Sequence, residues 1–129
     1  EFEQKIAELF PEQFNSNHEA FKFDDRSDNK GPEPEGVTLG KIGAKTFAFI
    51  GLERASGIMV YDISNPNQAT FVQYLNHRNT TETEVTKQGD LGPEGLIFIA
   101  AKNSPNGRPL LVVGNEVSGS TAVYEVKLN

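Results

Sequence analysis

The feature that most constrains this chain is that it repeats itself. Pro34-Glu35-Gly36-Val37 recurs as Pro93-Glu94-Gly95-Leu96, and Phe49-Ile50-Gly51-Leu52-Glu53 recurs as Val112-Val113-Gly114-Asn115-Glu116. Ser56-Gly57 matches Ser118-Gly119, and Val60-Tyr61-Asp62-Ile63 matches Val123-Tyr124-Glu125-Val126. Four matched blocks in one order, at a spacing of roughly 60 residues, describe two copies of one supersecondary unit. Such a unit cannot bury its apolar face alone, so the copies are expected to lie side by side.

Each copy reads as β-structure. In the first, Val37–Leu39, Thr46–Ile50, Ile58–Ile63 and Thr70–Leu75 carry the branched and aromatic residues of strands, separated by Gly, Asn, Pro and Ser turns. In the second, Leu96–Ile99, Leu110–Val113 and Thr121–Val126 do the same. Short strands joined by tight turns predict antiparallel meanders. The expected fold is all-β: two consecutive antiparallel blades of the four-stranded type, from an incomplete β-propeller, after a short N-terminal helix. The boundaries are 1–36 for helix and loop, 37–78 for the first blade, and 79–129 for a loop and the second, incomplete blade. Phe2, Ile6, Leu9 and Phe10 give residues 1–14 a helical period that Pro11 ends or bends. Phe21 and Phe23 flank Lys22 with the alternation of a short strand.

A propeller needs at least four blades. The chain, with 129 residues and Glu1 in place of an initiating Met, is therefore expected to be a C-terminal fragment of a larger protein. Its expected partners are the remaining blades of the parent protein. The last strand, around Thr121–Val126, would be an open edge, which predicts a strand-paired homo-oligomer. A formal net charge of −6 argues against nucleic acid as a partner. The absence of cysteine excludes disulfides, thiolate metal sites and Cys nucleophiles. No apolar run approaches the roughly 20 residues of a membrane span.

The repeat also marks four carboxylates, Glu35, Glu53, Glu94 and Glu116. In an antiparallel hairpin the start of the first strand lies beside the end of the second, so Glu35 should neighbour Glu53, and Glu94 should neighbour Glu116. Converging carboxylates repel and need a cation: Ca²⁺ or another divalent metal held by oxygen ligands, or Arg54. The architectural alternative is that each Glu caps backbone N–H groups in a tight turn. His77 and Arg78 together form an anion-binding candidate, against a reading as polar surface. Asp24, Asp25, Asp28 and Asp90 lie in loops without EF-hand spacing, and His18 has no partner near it in sequence. No nucleophile elbow, P-loop, dinucleotide fingerprint or zinc motif is present, and the catalytic residues are unknown at this level.

The runs Arg26–Val37, Phe47–Arg54, Gly57–Asp62, Gly89–Gly95 and Val113–Gly119 resemble the C-terminal blades of bacterial choice-of-anchor proteins. Many members of that group are labelled alkaline phosphatases, and the group is similar to mesenchyme-specific cell-surface glycoproteins. The resemblance implies a secreted, periplasmic or cell-surface propeller and metal-assisted phosphoester hydrolysis. In that reading Glu35, Glu53, Glu94 and Glu116 are metal ligands, Arg54 steadies the phosphate, and the fragment is inactive without the missing blades. The alternatives are a non-catalytic calcium-binding or adhesive surface propeller, and a structural scaffold.

Overall fold

The structure is a computed structural model, and it describes residues 1–128. It contains one short helix, α1 (Phe2–Leu9), and two antiparallel sheets. The first sheet has strands β1 (Pro34–Ile42), β2 (Lys45–Leu52), β3 (Ile58–Asp62) and β4 (Thr70–Leu75), in that order. The second has β5 (Pro93–Ile99), β6 (Leu110–Asn115) and β7 (Ser120–Glu125). All neighbours are sequential, and neither sheet closes into a barrel.

The elements follow the sequence with three differences. Helix α1 stops at Leu9 because Phe10 leaves the helical region (φ −142°), and Pro11–Gln13 continues only as a 3₁₀ turn. Phe21 and Phe23 form no strand; the segment is loop and turn, with Phe14 and Phe23 rings 6.2 Å apart. The first strand is also longer than its apolar run, since it starts at Pro34 and runs through Gly40 to Ile42.

Cross-strand register assigns each residue to a face. Val37, Ile50, Met59 and Tyr74 form one row, and Leu39, Ala48, Tyr61 and Phe71 the next. This face carries the first core, where Ile6 of α1 is buried against Leu52, Met59, Tyr61 and Tyr74. The helix is apolar on one side and too short to persist alone, so this sheet holds it. Edge-to-face contacts of Phe2 with Tyr61 (5.8 Å) and Phe10 with Tyr74 (5.3 Å) fix its seat.

The opposite face of the first sheet carries Gly36 and Gly51, then Thr38, Phe49 and Val60. It packs on the second sheet, where Leu96 pairs with Val113 and Phe98 with Leu111. The inner strands β1 and β5 meet closely because β1 has glycines there. A Cβ on Gly36 would lie 2.5 Å from Leu96 Cδ1 and 2.7 Å from the Glu94 carbonyl, and one on Gly40 would lie 2.5 Å from the Phe98 ring. Phe98 stacks on Phe49, with ring centres 5.7 Å apart. Two like sheets are therefore stacked face to face, and their strand starts share one rim.

Candidate functional site

The rim of the first unit is built by its backbone. Glu53 follows β2 and donates its N–H to the Glu33 carbonyl (2.9 Å), and the Ala55 N–H reaches the Pro32 carbonyl (3.4 Å). These bonds fold the segment before β1 against the turn after β2. They bring Glu33, Glu35 and Glu53 together, with one carboxylate oxygen of each within 4.8 Å of the others. Glu33 and Glu53 are buried and Glu35 is exposed.

Two cations balance this cluster in part. Arg54 places Nε 2.6 Å from Glu33 Oε2 and Nη1 3.0 Å from Glu53 Oε1. The Glu33 contact is an off-line ion pair rather than a straight hydrogen bond. Lys30 pairs with Glu33 from the solvent side. Burial pushes Glu33 upward, but the Lys30 hydrogen bond and the Arg54 charge outweigh it and leave its carboxyl below the ordinary range. Glu53 goes the other way. A hydrogen bond with the Glu35 carboxyl, then burial, raise it to about 7 against the pull of Arg54. With three carboxylates and two cations, one negative charge is left over, and a proton on Glu53 neutralises it.

His18 completes the arrangement. It is buried, and Arg54 Nη1 lies 2.6 Å from its Nδ1. Burial and then the Arg54 charge lower its pKa, so the ring stays neutral and can accept from the guanidinium; Glu19 and Glu116 pull weakly in the opposite sense. Arg54 is thus held across Glu33, Glu53 and His18.

The expected pairing of Glu35 with Glu53 is present, and Glu33 joins it. Glu94 and Glu116 do not enter the cluster, and both are exposed. The second rim repeats the backbone of the first: the Glu116 N–H donates to the Gly92 carbonyl (2.8 Å) and the Ser118 N–H to the Leu91 carbonyl (3.3 Å). In the second unit, however, Gly92 stands where Glu33 does, and Val117 stands where Arg54 does. The rim is instead tied without an ion pair, with Ser120 Oγ donating to the Asp90 carboxylate (2.5 Å) and Asn115 Nδ2 donating to Ser120 Oγ (3.2 Å).

His77 and Arg78 are separated by their surroundings. His77 is exposed beside the Tyr124 ring, whereas Arg78 is buried. Its guanidinium donates to Gln88 Oε1 (3.0 Å), Ser16 Oγ (3.3 Å) and the Asn17 carbonyl (2.8 Å), which pins the N-terminal loop to the segment after β4. Asp24, Asp25 and Asp28 lie in that loop, apart from the carboxylate cluster.

The donor set suits a hard cation, since three carboxylates can offer the oxygens that Ca²⁺ prefers. It does not suit zinc, because the one nearby imidazole is engaged by Arg54. Among the described residues no helix is long and apolar enough to cross a membrane.

No solved structure matches this chain. Gigasin-3a from Magallana gigas is 29% identical over 137 residues, a match that covers 97% of this chain and 48% of the relative. The chain thus spans about half the length of the curated relative it matches. The family model of the choice-of-anchor I domain matches residues 1–66, which carry α1, β1 to β3 and every member of the Glu33–Glu35–Glu53–Arg54–His18 group. The chain belongs to the choice-of-anchor I domain family.

Proposed function

We propose that the chain forms two neighbouring blades of a β-propeller in a secreted, periplasmic or cell-surface protein, and that the first blade's rim binds a divalent cation, Ca²⁺ by donor chemistry. The observation that carries the cation reading is the convergence of Glu33, Glu35 and Glu53 within 4.8 Å with one negative charge unmatched by Arg54 and Lys30. A divalent ion replaces the proton that Glu53 otherwise keeps, so binding releases a proton and strengthens as pH rises. The stacked repeat units support the propeller, and the free edge of β7 leaves room for a fourth strand from the parent protein or from a second copy. The test is thermal unfolding with and without Ca²⁺. At one hundred times the dissociation constant the chain should gain about 2.7 kcal/mol, and Glu53→Gln should abolish the gain. An unchanged gain in that variant sinks the reading.

One observation favours a catalytic reading in the complete protein. Glu53 changes charge near neutral pH beside the fixed positive charge of Arg54, as an acid–base group in phosphoester hydrolysis must. A bound cation would supply Lewis-acid polarisation of the phosphoryl group. In this reading Glu33 and Glu35 would hold the cation, His18 would keep Arg54 oriented, and Glu53 would be left to hold or release its proton. The complete protein should hydrolyse a chromogenic phosphoester, lose that activity with a chelator, and fall by about 10²-fold or more in Glu53→Gln. The 129-residue chain alone should show no turnover. Chelator-insensitive turnover, or full activity in the variant, contradicts this reading.

A further inference from the structure

The repeat makes the two sheets comparable row by row, and the comparison exposes an incomplete joint. In the first sheet the row Gly36–Gly51–Ile58 and the row Thr38–Phe49–Val60 face the second sheet and are covered by it. Their equivalents in the second sheet are Gly95–Gly114–Thr121 and Ile97–Val112–Val123. Among the described residues nothing covers these. A Cβ on Gly95 would meet no atom within 4 Å, and one on Gly114 would meet only the Gly95 carbonyl of its own sheet, at 3.8 Å. Ile97 is 57% exposed and Val123 is 59% exposed.

We infer that this outer face of the second sheet is a docking surface for a further sheet of the same repeat type, seated as the second sheet is seated on the first. The inference deepens the propeller reading by naming the surface, and it is independent of the cation site. Three observations commit it to that occupant. The face continues an interface already present in the molecule, down to the paired glycines that admit a close strand. The curated relative is about twice as long as the match, which leaves chain for further units. A second copy of this chain offers only part of its matching face, because α1 covers Met59 and Tyr61 there and leaves only Val37 and Leu39 of β1 open. The incoming sheet must present apolar residues at the two inner-strand positions that Leu96 and Phe98 occupy in the existing joint. The residue at the Phe98 position should be smaller than Phe, since the second sheet has Ile99 where the first has Gly40 under the Phe98 ring.

The chain has no cysteine, so a single introduced thiol reports burial cleanly. Val123→Cys and, separately, Ile97→Cys are made in the 129-residue chain and in the complete protein, and maleimide labelling at that position is read by peptide mass. Both positions should label rapidly in the short chain and at least about tenfold more slowly in the complete protein. Equal rates in the two contexts overturn the inference. Slowing that appears in the short chain as its concentration rises overturns the chosen occupant in favour of a second copy. Val37→Cys, on the opposite face of the stack, separates this from the propeller itself. Protection at 123 without protection at 37 keeps the docking surface but contradicts a closed ring.

Discussion

The two rims share a backbone and differ in chemistry. Each places the residue after its second strand against the segment before its first strand, through equivalent hydrogen bonds: Glu53 to Glu33, and Glu116 to Gly92. The second rim uses glycine where the chain turns left-handed, with φ +71° at Gly92. The first rim puts Glu33 in the same conformation, at φ +53°, although a side chain there costs about 1 kcal/mol or more. That residue brings a third carboxylate beside Glu35 and Glu53, and Arg54 replaces the apolar Val117 to answer it. The same backbone thus carries two rims of different chemistry, and the Glu33/Gly92 and Arg54/Val117 differences account for the carboxylate cluster of the first.

The largest expected effect comes from the joint between the sheets. Gly36→Val should destabilise the chain by about 3 kcal/mol or more, because its side chain enters space held by Leu96 and the β5 backbone. Gly95→Val, the same change at the equivalent open position, should stay within about 0.5 kcal/mol. Denaturant unfolding of the two variants checks the contrast, and equal losses would break it. Next in size is Arg54→Met, which strips a partly buried cation from Glu33 and Glu53 and should cost about 2–4 kcal/mol. Glu116→Gln on the exposed second rim should stay within about 0.5 kcal/mol.

The pH dependence sharpens the same comparison. Glu53 keeps its proton in the folded state to about 7, above its ordinary value of 4.5. The folded state therefore binds more protons than the unfolded state across that window, and stability falls as pH rises through it. The fall should be about 1–3 kcal/mol, and Glu53→Gln should flatten it. Glu33 acts in the opposite sense at lower pH, since its lowered pKa contributes stability that is lost as acid protonates it. Unfolding midpoints measured from pH 4 to 8 separate the two. A Glu53→Gln profile that still falls like the parent's would place the proton elsewhere.

Much of this was legible in the chain. Val37, Leu39, Phe47 and Phe49 alternate, so strand faces and register follow from the period of two. The repeat aligned the two sheets and paired Glu35 with Glu53. What it hid was the residue that breaks it. Glu33 lies just outside the matched block, opposite a glycine, and a Glu standing where the copy has Gly was the available signal. His18 is 36 positions from Arg54, and no local pattern announces a contact over that distance. Arg78 read as surface because its loop is polar, yet its guanidinium is buried by Ser16, Asn17 and Gln88, which come from two distant segments. The close approach of β1 to β5 was marked by Gly36 and Gly40, which resemble turn glycines until the partner strand is seen.

Calorimetric titration with Ca²⁺ of the parent chain, Glu33→Gly and Glu116→Gln tests most directly whether the charged rim is what distinguishes the two units. Glu33→Gly installs the second unit's own residue and relieves the left-handed strain, so the fold should persist. Binding should be present in the parent chain, lost in Glu33→Gly and retained in Glu116→Gln. Binding that survives in Glu33→Gly, or disappears in Glu116→Gln, would contradict the assignment of the site to the first rim.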